Sequence, residues 1–201
     1  MIKLYTFHLS TNGRKVHMAL EEAKAAYEIS SVNLMKGEQK NPDYLKLNPN
    51  GKVPTLIDDG LVMWESVAIL LYLAEKFPAA KLLPTAPTDR ARAFQWAVWQ
   101  PTTFGAPAST LFRQMRFTPE AQRDQKVIDQ ARAEVSKNAE ILAGGLQGRD
   151  YLAGTFSIAD MALMPYLYVL AELNALPAAV DAYYKRLAAR PSWQKVLAYT
   201  G

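Results

Sequence analysis

The sequence predicts a chain of two domains, an α/β domain followed by an all-α domain. In the first part of the chain, short runs of β-forming residues and helical patterns follow one another in the order β-α-β-β-β-α. Several prolines then cluster in a short segment, and every periodic pattern after them is helical. We therefore predict an α/β domain at residues 1–77, a linker at 78–88 and an all-helical domain at 89–201.

A β-α-β unit opens the first domain. Residues 2–7 and 27–32 are rich in β-forming side chains, which predicts two strands. An apolar stripe at helical spacing lies between them, and Ser10, Thr11 and Asn12 are all good N-cap residues for that helix. A unit of this length favours a parallel pair of strands joined by a right-handed crossover.

A hairpin and a second helix complete the predicted first domain. Residues 53–57 and 61–64 are β-rich, and the Asp59-Gly60 pair between them is a strong hairpin signal. The polar stretch at 36–49 predicts irregular structure with a short helix inside it. A helical pattern begins directly after the hairpin.

The second domain begins with a helical pattern at residues 90–100. We expect Pro101 and Gly105 to interrupt it. Thr118 and Pro119 then predict the start of a long helix that runs to about residue 142.

The last third of the chain predicts two further helices. The Ser157 to Asp160 segment fits a capping box, and the strongly apolar residues after it predict a buried helix. A final helix over 178–189 is expected to stop at Arg190 and Pro191.

The composition excludes several kinds of site. The net charge is +4, but basic and acidic residues are interspersed, so no nucleic-acid-binding arm is predicted. The chain has no cysteine, which excludes disulfides, thiolate metal sites and a protein thiol nucleophile. With two histidines a histidine-rich metal site is not expected, and no apolar stretch is long enough to predict a membrane helix or a signal peptide.

Three ordered motifs give the sequence a specific resemblance. They are NPNGKVPTL at 48–56, WESVAILLYLA at 64–74 and GTFSIAD at 154–160. Together they resemble the motifs of cytosolic glutathione S-transferases, and the resemblance covers nearly the whole chain. It implies a thioredoxin-like first domain, a cytoplasmic detoxification enzyme with glutathione as its co-substrate and no metal, and a homodimer with no membrane or nucleic-acid partner.

The resemblance also implies a glutathione site in the first domain. It implies a cis peptide bond before Pro54, so that the turn presents the backbone of Val53 to the cysteinyl main chain of glutathione, like an added strand. It assigns the γ-glutamyl carboxylate to Ser66 and the amino group to Glu65, at a helix start where N–H groups favour anions. The alternative is that Glu65 and Ser66 only cap the helix, and both can hold.

The glycyl end of glutathione would meet the polar stretch before the hairpin. The segment GEQKNPDYL at 37–45 resembles the stretch that holds the glycyl carboxylate in the family. Lys52 is the best candidate for pairing with that charge, and Gln39 and Lys40 are further candidates.

A hydrogen-bond donor must activate the sulfur, because a free thiol has a pKa of about 8.5 and the thiolate is the nucleophile. Ser10 lies where the family keeps its activating hydroxyl, and Ser10 and Asn12 resemble the Ser-x-Asn spacing of the phi class and the bacterial nu class. Tyr5 is a third option, although it lies inside the first strand. We predict Ser10 as the thiolate donor and Asn12 as a second polar contact; the alternative is that both only cap the helix.

The electrophile is expected to meet apolar walls between the first loop and the interrupted helix. The candidate wall residues are Leu9, Trp96, Trp99, Phe104, Leu111 and Phe112. The alternative is that these side chains only pack in the core.

Asp160 and Ser157 are interpreted as structural, because they start a buried helix.

The predicted activity is conjugation of glutathione to a hydrophobic electrophile. Glutathione-dependent disulfide or peroxide reduction stays open, because two glutathione molecules supply both sulfurs in a chain without cysteine. A third possibility is a transferase fold used as a non-catalytic binding protein, against which Ser10, Pro54, Glu65 and Ser66 weigh together.

Overall fold

The computed structural model describes all residues from Met1 to Gly201. The chain forms two compact units, one made of Met1–Leu83 and Arg190–Gly201, the other of Pro84–Ala189. The last twelve residues therefore pack with the first unit, and the domain limits at 77 and 89 stay a prediction. No helix combines the length and the apolar character that a membrane crossing requires.

The regular elements alternate in the first unit and are all helical in the second. The strands are β1 Ile2–Thr6, β2 Tyr27–Ser31, β3 Thr55–Asp58 and β4 Leu61–Trp64. The helices are α1 Thr11–Glu22, α2 Pro42–Leu47, α3 Ser66–Lys76, α4 Pro87–Trp99, α5 Gly105–Arg116, α6 Gln125–Gly145, α7 Ile158–Glu172, α8 Asp181–Ala188 and α9 Pro191–Ala198.

A four-stranded mixed sheet forms the centre of the first unit, in the order β2-β1-β3-β4. β1 and β2 are parallel, while β3 is antiparallel to both β1 and β4. The parallel pair and the hairpin are confirmed. With the all-helical second unit, the sheet and its helices fit the predicted thioredoxin-like layout.

The helix α9 was not expected from the sequence. Residues 190 and 191 were interpreted as the end of the last helix, but Pro191 is the first residue of α9 and Arg190 is its N-cap. Proline suits the first helical turn as well as a helix stop, so its position alone does not distinguish them. α9 packs against α1 in the first unit.

The predicted interruption after α4 is confirmed, because the α-helix ends at Trp99 and a new one begins at Gly105, although the chain between them stays helical. Residues 100–104 form a π-helical segment that joins α4 to α5. Wider turns of this kind absorb an extra residue without ending a helix. Asn138 Nδ2 donates to the carbonyl oxygen of Thr103 over 3.2 Å, and so satisfies a backbone acceptor of this segment.

The predicted start of the long helix is also wrong. α6 begins at Gln125, whereas residues 120–122 form a separate 3-10 turn after Pro119. The side chain of Asp124 accepts a hydrogen bond from the N–H of Val127 over 3.2 Å. This side-chain cap defines the helix start, so the Thr118-Pro119 signal marks only the turn before it.

The capping box at the start of α7 is confirmed. The Ser157 side chain accepts from the backbone, and Asp160 Oδ2 accepts from the N–H of Ser157 over 2.8 Å. Asp160 also accepts from the N–H of Leu152 over 3.2 Å and from the hydroxyl of Tyr183 over 2.6 Å. Burial nevertheless raises the pKa of Asp160 to about 6.

Candidate functional site

A tight turn connects β1 to α1 and carries Ser10. The N–H of Ser10 donates to the carbonyl oxygen of Phe7 over 2.8 Å. Ser10 is the N-cap of α1, and its Oγ accepts from the N–H of Gly13 over 3.1 Å. This cap uses a lone pair of the hydroxyl and not its hydrogen, so capping the helix and donating to a ligand are compatible.

Gly13 brings the first turn of α1 against β1. A Cβ at this position would lie 1.9 Å from Oγ1 of Thr6, so no side chain fits between the helix and the strand. This close approach fixes the end of α1 at which the backbone N–H groups point out of the helix.

The turn before β3 holds the cis peptide bond between Val53 and Pro54, as the resemblance implied. The hydroxyl of Tyr44 donates to the carbonyl oxygen of Lys52 over 2.6 Å, and Nδ2 of Asn48 donates to the same oxygen over 2.8 Å. Oγ1 of Thr55 lies 2.9 Å from the Tyr44 hydroxyl and 3.2 Å from Asn48 Nδ2. These buried side chains fix the backbone on either side of Val53.

Tyr44 and Asn48 are functional candidates that sequence reasoning missed. Asn48 stands in the NPNGKVPTL motif, which could have drawn attention to it, whereas Tyr44 lies in a polar stretch with no periodic signal. Burial raises the pKa of the Tyr44 hydroxyl, which therefore stays a hydrogen-bond donor at neutral pH.

Glu65 and Ser66 lie at the start of α3. Glu65 has a φ of 73° and makes no side-chain cap, so its carboxylate does not serve the helix as a capping group. Left-handed backbone at a non-glycine residue is strained and is often found at functional sites. The hydroxyl of Ser66 donates to Oδ1 of Asn12 over 3.4 Å, which connects the starts of α1 and α3.

One cavity brings together most of the predicted glutathione-binding residues. Its lining residues are Asn12, Asn48, Asn50, Lys52, Val53, Pro54, Glu65 and Ser66. It therefore combines the start of α1, the cis-proline turn and the start of α3, all within the first unit. Ser10, Gln39 and Lys40 are not among the lining residues.

The backbone of Gln39 lies beside Gly51, which stands between the lining residues Asn50 and Lys52. A Cβ at Gly51, which has a φ of 58°, would lie 3.2 Å from the carbonyl oxygen of Gln39. The side-chain Oε1 of Gln39 is buried and has no hydrogen-bond partner. A buried acceptor without a partner is costly, and a ligand donor would satisfy it. Lys40 is exposed at the end of a 3-10 turn.

Tyr5 faces a different cavity from Asn12 and Ser66. This second cavity is lined by Tyr5, Ser30, Ser31, Val32, Glu38, Asn41, Pro42, Asp43, Tyr44 and Leu47. The Tyr5 ring lies 6.1 Å from the Tyr44 ring, and Nζ of Lys3 lies 5.2 Å from the Tyr5 ring centre. This packing role favours Ser10 over Tyr5 as a donor to sulfur.

A buried lysine interacts with the charge of Glu65. Lys15 on α1 is fully buried, and burial lowers its pKa to about 7, although the charge of Glu65 favours the protonated form. Nothing in the sequence indicates that this lysine is buried.

The candidate electrophile walls divide by burial. Leu9 is half-buried in the first unit, where it packs against a cluster that contains Phe7 and Val53. In the second unit the burial of the predicted residues differs: Trp96, Trp99 and Phe112 are half-buried, and Phe104 and Leu111 are fully buried. The fully buried pair has no surface to offer a ligand.

Aromatic rings surround the half-buried wall candidates. The Trp99 ring lies 5.0 Å from the Trp96 ring and 5.7 Å from the Phe104 ring. The Phe112 ring lies 5.1 Å from the Phe117 ring.

No cluster of three or more potential metal ligands occurs in either unit.

Two family models match most of this chain. The N-terminal domain of glutathione S-transferases matches residues 1–75, and their C-terminal domain matches residues 104–191.

Characterised relatives match over nearly the full length. The chain is 33% identical to glutathione S-transferase GstB of Escherichia coli, with 98% of each chain covered. It is 34% identical to the disulfide-bond oxidoreductase YfcG of the same bacterium, with 98% of this chain and 94% of the relative covered.

Solved structures share this fold over nearly all of this chain. A theta class glutathione S-transferase from Xanthomonas axonopodis pv. citri, with glutathione bound, has a TM-score of 0.89 at 35% identity; 98% of this chain and 97% of the other are covered. A glutathione transferase from Burkholderia graminis, with two glutathione molecules per subunit, has a TM-score of 0.87 at 32% identity; 98% and 87% are covered.

Proposed function

This chain belongs to the glutathione S-transferase family, and we propose that it conjugates the thiolate of glutathione to hydrophobic electrophiles. The observation that carries this proposal is the cavity shared by the starts of α1 and α3 and the cis-proline turn. It offers the cis-proline turn, a carboxylate, a hydroxyl at a helix start and a lysine, which together complement a tripeptide with two carboxylates and an amino group.

The backbone of Val53 is proposed to pair with the cysteinyl main chain of glutathione. The fixed Lys52 carbonyl supports this, because Tyr44 and Asn48 hold the turn in one geometry. A turn that is already ordered loses little conformational entropy when the ligand binds.

The γ-glutamyl end is proposed to bind at the start of α3. The free N–H groups there and the hydroxyl of Ser66 suit a carboxylate. The exposed carboxylate of Glu65, which does not cap the helix, suits the ammonium group. Asn12, which accepts from the Ser66 hydroxyl, remains proposed as the second polar contact to the sulfur beside Ser10.

The glycyl carboxylate is proposed to pair with Lys52. Lys52 lines the cavity and is exposed, so its ammonium group is accessible to an anion. Gln39 and Lys40 are proposed as further contacts. The buried Oε1 of Gln39 would gain a donor from the glycyl N–H.

Ser10 is proposed to donate its O–H to the sulfur. Its oxygen accepts from the first turn of α1, so the hydrogen is available and the helix dipole adds to the attraction for a thiolate. The thiolate then attacks the electrophilic carbon and forms a C–S bond. In a substitution the leaving group departs with its electron pair; in an addition the new carbanion takes a proton.

The second unit is proposed to supply the electrophile's apolar contacts. Trp96, Trp99 and Phe112 retain exposed surface, whereas Phe104 packs behind Trp99. Leu9 remains a proposed contact in the first unit. Aromatic surfaces with few polar groups suit electrophiles of varied shape.

Calorimetric titration with reduced and oxidised glutathione tests the proposal first. We expect saturable binding of reduced glutathione, weakened by Glu65→Gln, and turnover of an aryl halide that falls in Ser10→Ala. Absence of binding by either form would refute the site. Unchanged turnover and thiol pKa in Ser10→Ala would refute the role of Ser10.

A second candidate is disulfide reduction, which the similarity to YfcG favours. Because the chain has no cysteine, both sulfurs must come from glutathione. One thiolate attacks the disulfide and releases a thiolate, and a second glutathione attacks the mixed disulfide, giving oxidised glutathione and a second thiol. Much tighter binding of oxidised glutathione, and disulfide or hydroperoxide turnover above conjugation, would favour this candidate.

We also propose a cytoplasmic homodimer. Val62 and Trp64, on one face of β4, are 38% and 42% exposed, and Phe94 and Val98, one turn apart on α4, are 38% and 52% exposed. Exposed apolar patches of this kind are typical of interaction surfaces. Sedimentation should show a dimer at micromolar concentration, and a monomer would refute the assignment.

A further inference from the structure

Arg14 holds the turn that carries Ser10. It lies one helical turn after Ser10 on α1, and its Nε donates to the carbonyl oxygen of His8 over 2.7 Å. Its backbone N–H donates to the carbonyl oxygen of Ser10 over 2.9 Å. Since the N–H of Ser10 donates back to Phe7, the turn is fixed from both the strand and the helix.

We propose that Arg14 is a positioning residue for the Ser10 hydroxyl, which it holds in the direction of the sulfur by fixing the His8 carbonyl. This inference rests on the proposed role of Ser10 in activating glutathione. Arg14 itself would not touch the sulfur.

The contacts around the turn explain why this hydrogen bond matters. The Gly13 backbone lies against Thr6, and Ser10 Oγ accepts from the Gly13 N–H, so the helix side of the turn has little freedom. The peptide plane between His8 and Leu9 is the part that the Arg14 side chain fixes. If it rotated, the Ser10 Cα and the O–H direction would shift with it, and a hydrogen bond weakens steeply as its angle falls.

The chemistry of the guanidinium suits this task. Its Nε–H is held in the plane of the group and stays protonated at any pH of interest. A lysine at this position would keep the positive charge but not the planar donor. Comparing the two therefore separates the effect of geometry from the effect of charge.

The test measures the thiol pKa of bound glutathione, from the pH dependence of thiolate absorbance, together with the glutathione Kd and kcat/KM. In Arg14→Gln we expect the thiol pKa to rise by about one unit, kcat/KM at neutral pH to fall about tenfold and the Kd to change less than about twofold. In Arg14→Lys the thiol pKa of bound glutathione should rise by less than in Arg14→Gln. The exposed Arg92, paired with Asp89, provides the matched control, and Arg92→Gln should leave all three values unchanged.

A double variant distinguishes positioning from independent action. We expect Arg14→Gln combined with Ser10→Ala to have the same thiol pKa as Ser10→Ala, because Arg14 acts through Ser10. An additive effect would overturn the proposal. So would an unchanged thiol pKa in Arg14→Gln beside a raised one in Ser10→Ala, and this result would leave the proposed function intact.

Two further results complete the test. An unchanged thiol pKa in Ser10→Ala would overturn the Ser10 assignment and this inference together. Thermal unfolding is measured for every variant. If Arg14→Gln does not fold, Arg14→Lys decides, and a thiol pKa equal to that of the wild type would overturn the proposal.

Discussion

Glu22 and Arg190 form a bidentate salt bridge between the end of α1 and the start of α9. The Arg190 Nε lies 2.7 Å from Oε1 of Glu22, and its Nη2 lies 2.8 Å from Oε2. The hydroxyl of Ser192 also donates to Glu22, and Lys195 pairs with Glu21 over 2.7 Å. Bidentate pairs between arginine and a carboxylate are among the stronger ion pairs in proteins. It holds α9 against α1, the helix whose N-cap is Ser10.

We expect Glu22→Gln to lower the free energy of unfolding by about 1–2 kcal/mol at neutral pH, because the pair is partly buried. Burial opposes ionisation of Glu22, but the hydrogen bonds from Arg190 and Ser192 and the charge of Arg190 outweigh it and lower the pKa. Because folding lowers the pKa of Glu22, its ionised carboxylate stabilises the folded protein at pH values above the ordinary pKa of 4.5. This stabilisation is lost as the pH falls through the folded-state pKa.

Urea unfolding at neutral pH and in acid measures this difference. The difference in free energy of unfolding between the wild type and Glu22→Gln should become smaller in acid, where the wild-type carboxyl is protonated. The exposed Glu28 on β2 offers a matched control, and Glu28→Gln should unfold like the wild type. Equal stability of Glu22→Gln and the wild type at neutral pH would contradict the prediction.

His17 gives a second test of the contact between α1 and α9. Its ring packs edge-on against Tyr27 and Tyr199, each 5.7 Å away. Burial lowers its pKa below 6.5, while the charge of Glu21 works against that shift. The folded protein therefore resists protonation of His17, and stability is lost as the pH falls below 6.5 toward the folded-state pKa.

The variant His17→Phe keeps a ring and removes the titration. Between about pH 7.5 and about pH 5.5, the wild type should lose more stability than this variant, by up to about 1.4 kcal/mol for each unit of lowered pKa. Chemical unfolding across this range measures both curves. Parallel curves would show that His17 does not titrate differently in the folded protein.

Tyr44→Phe tests the fixed turn before β3. The change removes the hydroxyl that donates to the Lys52 carbonyl, so the turn that presents Val53 loses one of its two side-chain donors. We expect the KM for glutathione to rise about five- to tenfold with little change in kcat, and stability to fall by about 1–2 kcal/mol.

Tyr72→Phe is the matched control for this variant. The Tyr72 hydroxyl donates to Asp58 over 2.6 Å in the same unit, but Tyr72 does not line the candidate cavity. It should lose comparable stability without a change in KM. Equal KM values for both variants would show that the turn does not depend on Tyr44.

The sequence predicted the features that local patterns specify. The Asp-Gly hairpin and the capping box depend on residues a few positions apart, and the parallel β-α-β unit follows from the order of consecutive elements. The start of α1 is also a local feature: the sequence offered Ser10, Thr11 and Asn12 as caps, and the cap is Ser10. Such signals act within one helical turn or one strand pair, so a single sequence contains them.

The features that the sequence did not predict depend on distant contacts or on competing local signals. Pro191 is compatible with both a helix stop and a helix start, and the contacts of Arg190 with Glu22 decide between them. The role of Tyr44 depends on the Lys52 carbonyl in a turn eight positions away. Hydrophobic periodicity contains no information about which polar groups meet in space.

Asp160→Ala separates a structural role from a functional one. Asp160 is fully buried and accepts from the N–H groups of Leu152 and Ser157 and from the hydroxyl of Tyr183. Alanine leaves these donors without an acceptor, at roughly 1–3 kcal/mol for each buried group. We expect a large fall in melting temperature, with an unchanged glutathione Kd in the fraction that stays folded.

The variant Asp160→Asn refines this test. Its amide oxygen replaces one carboxylate oxygen, but its NH₂ group faces a donor, so it should regain only part of the lost stability. The printed hydrogen bonds of Asp160 all lie within the second unit, and Asp160 is not among the lining residues of the cavity in the first unit. A normal melting curve for Asp160→Ala with abolished glutathione binding would show instead that this carboxylate belongs to the ligand site.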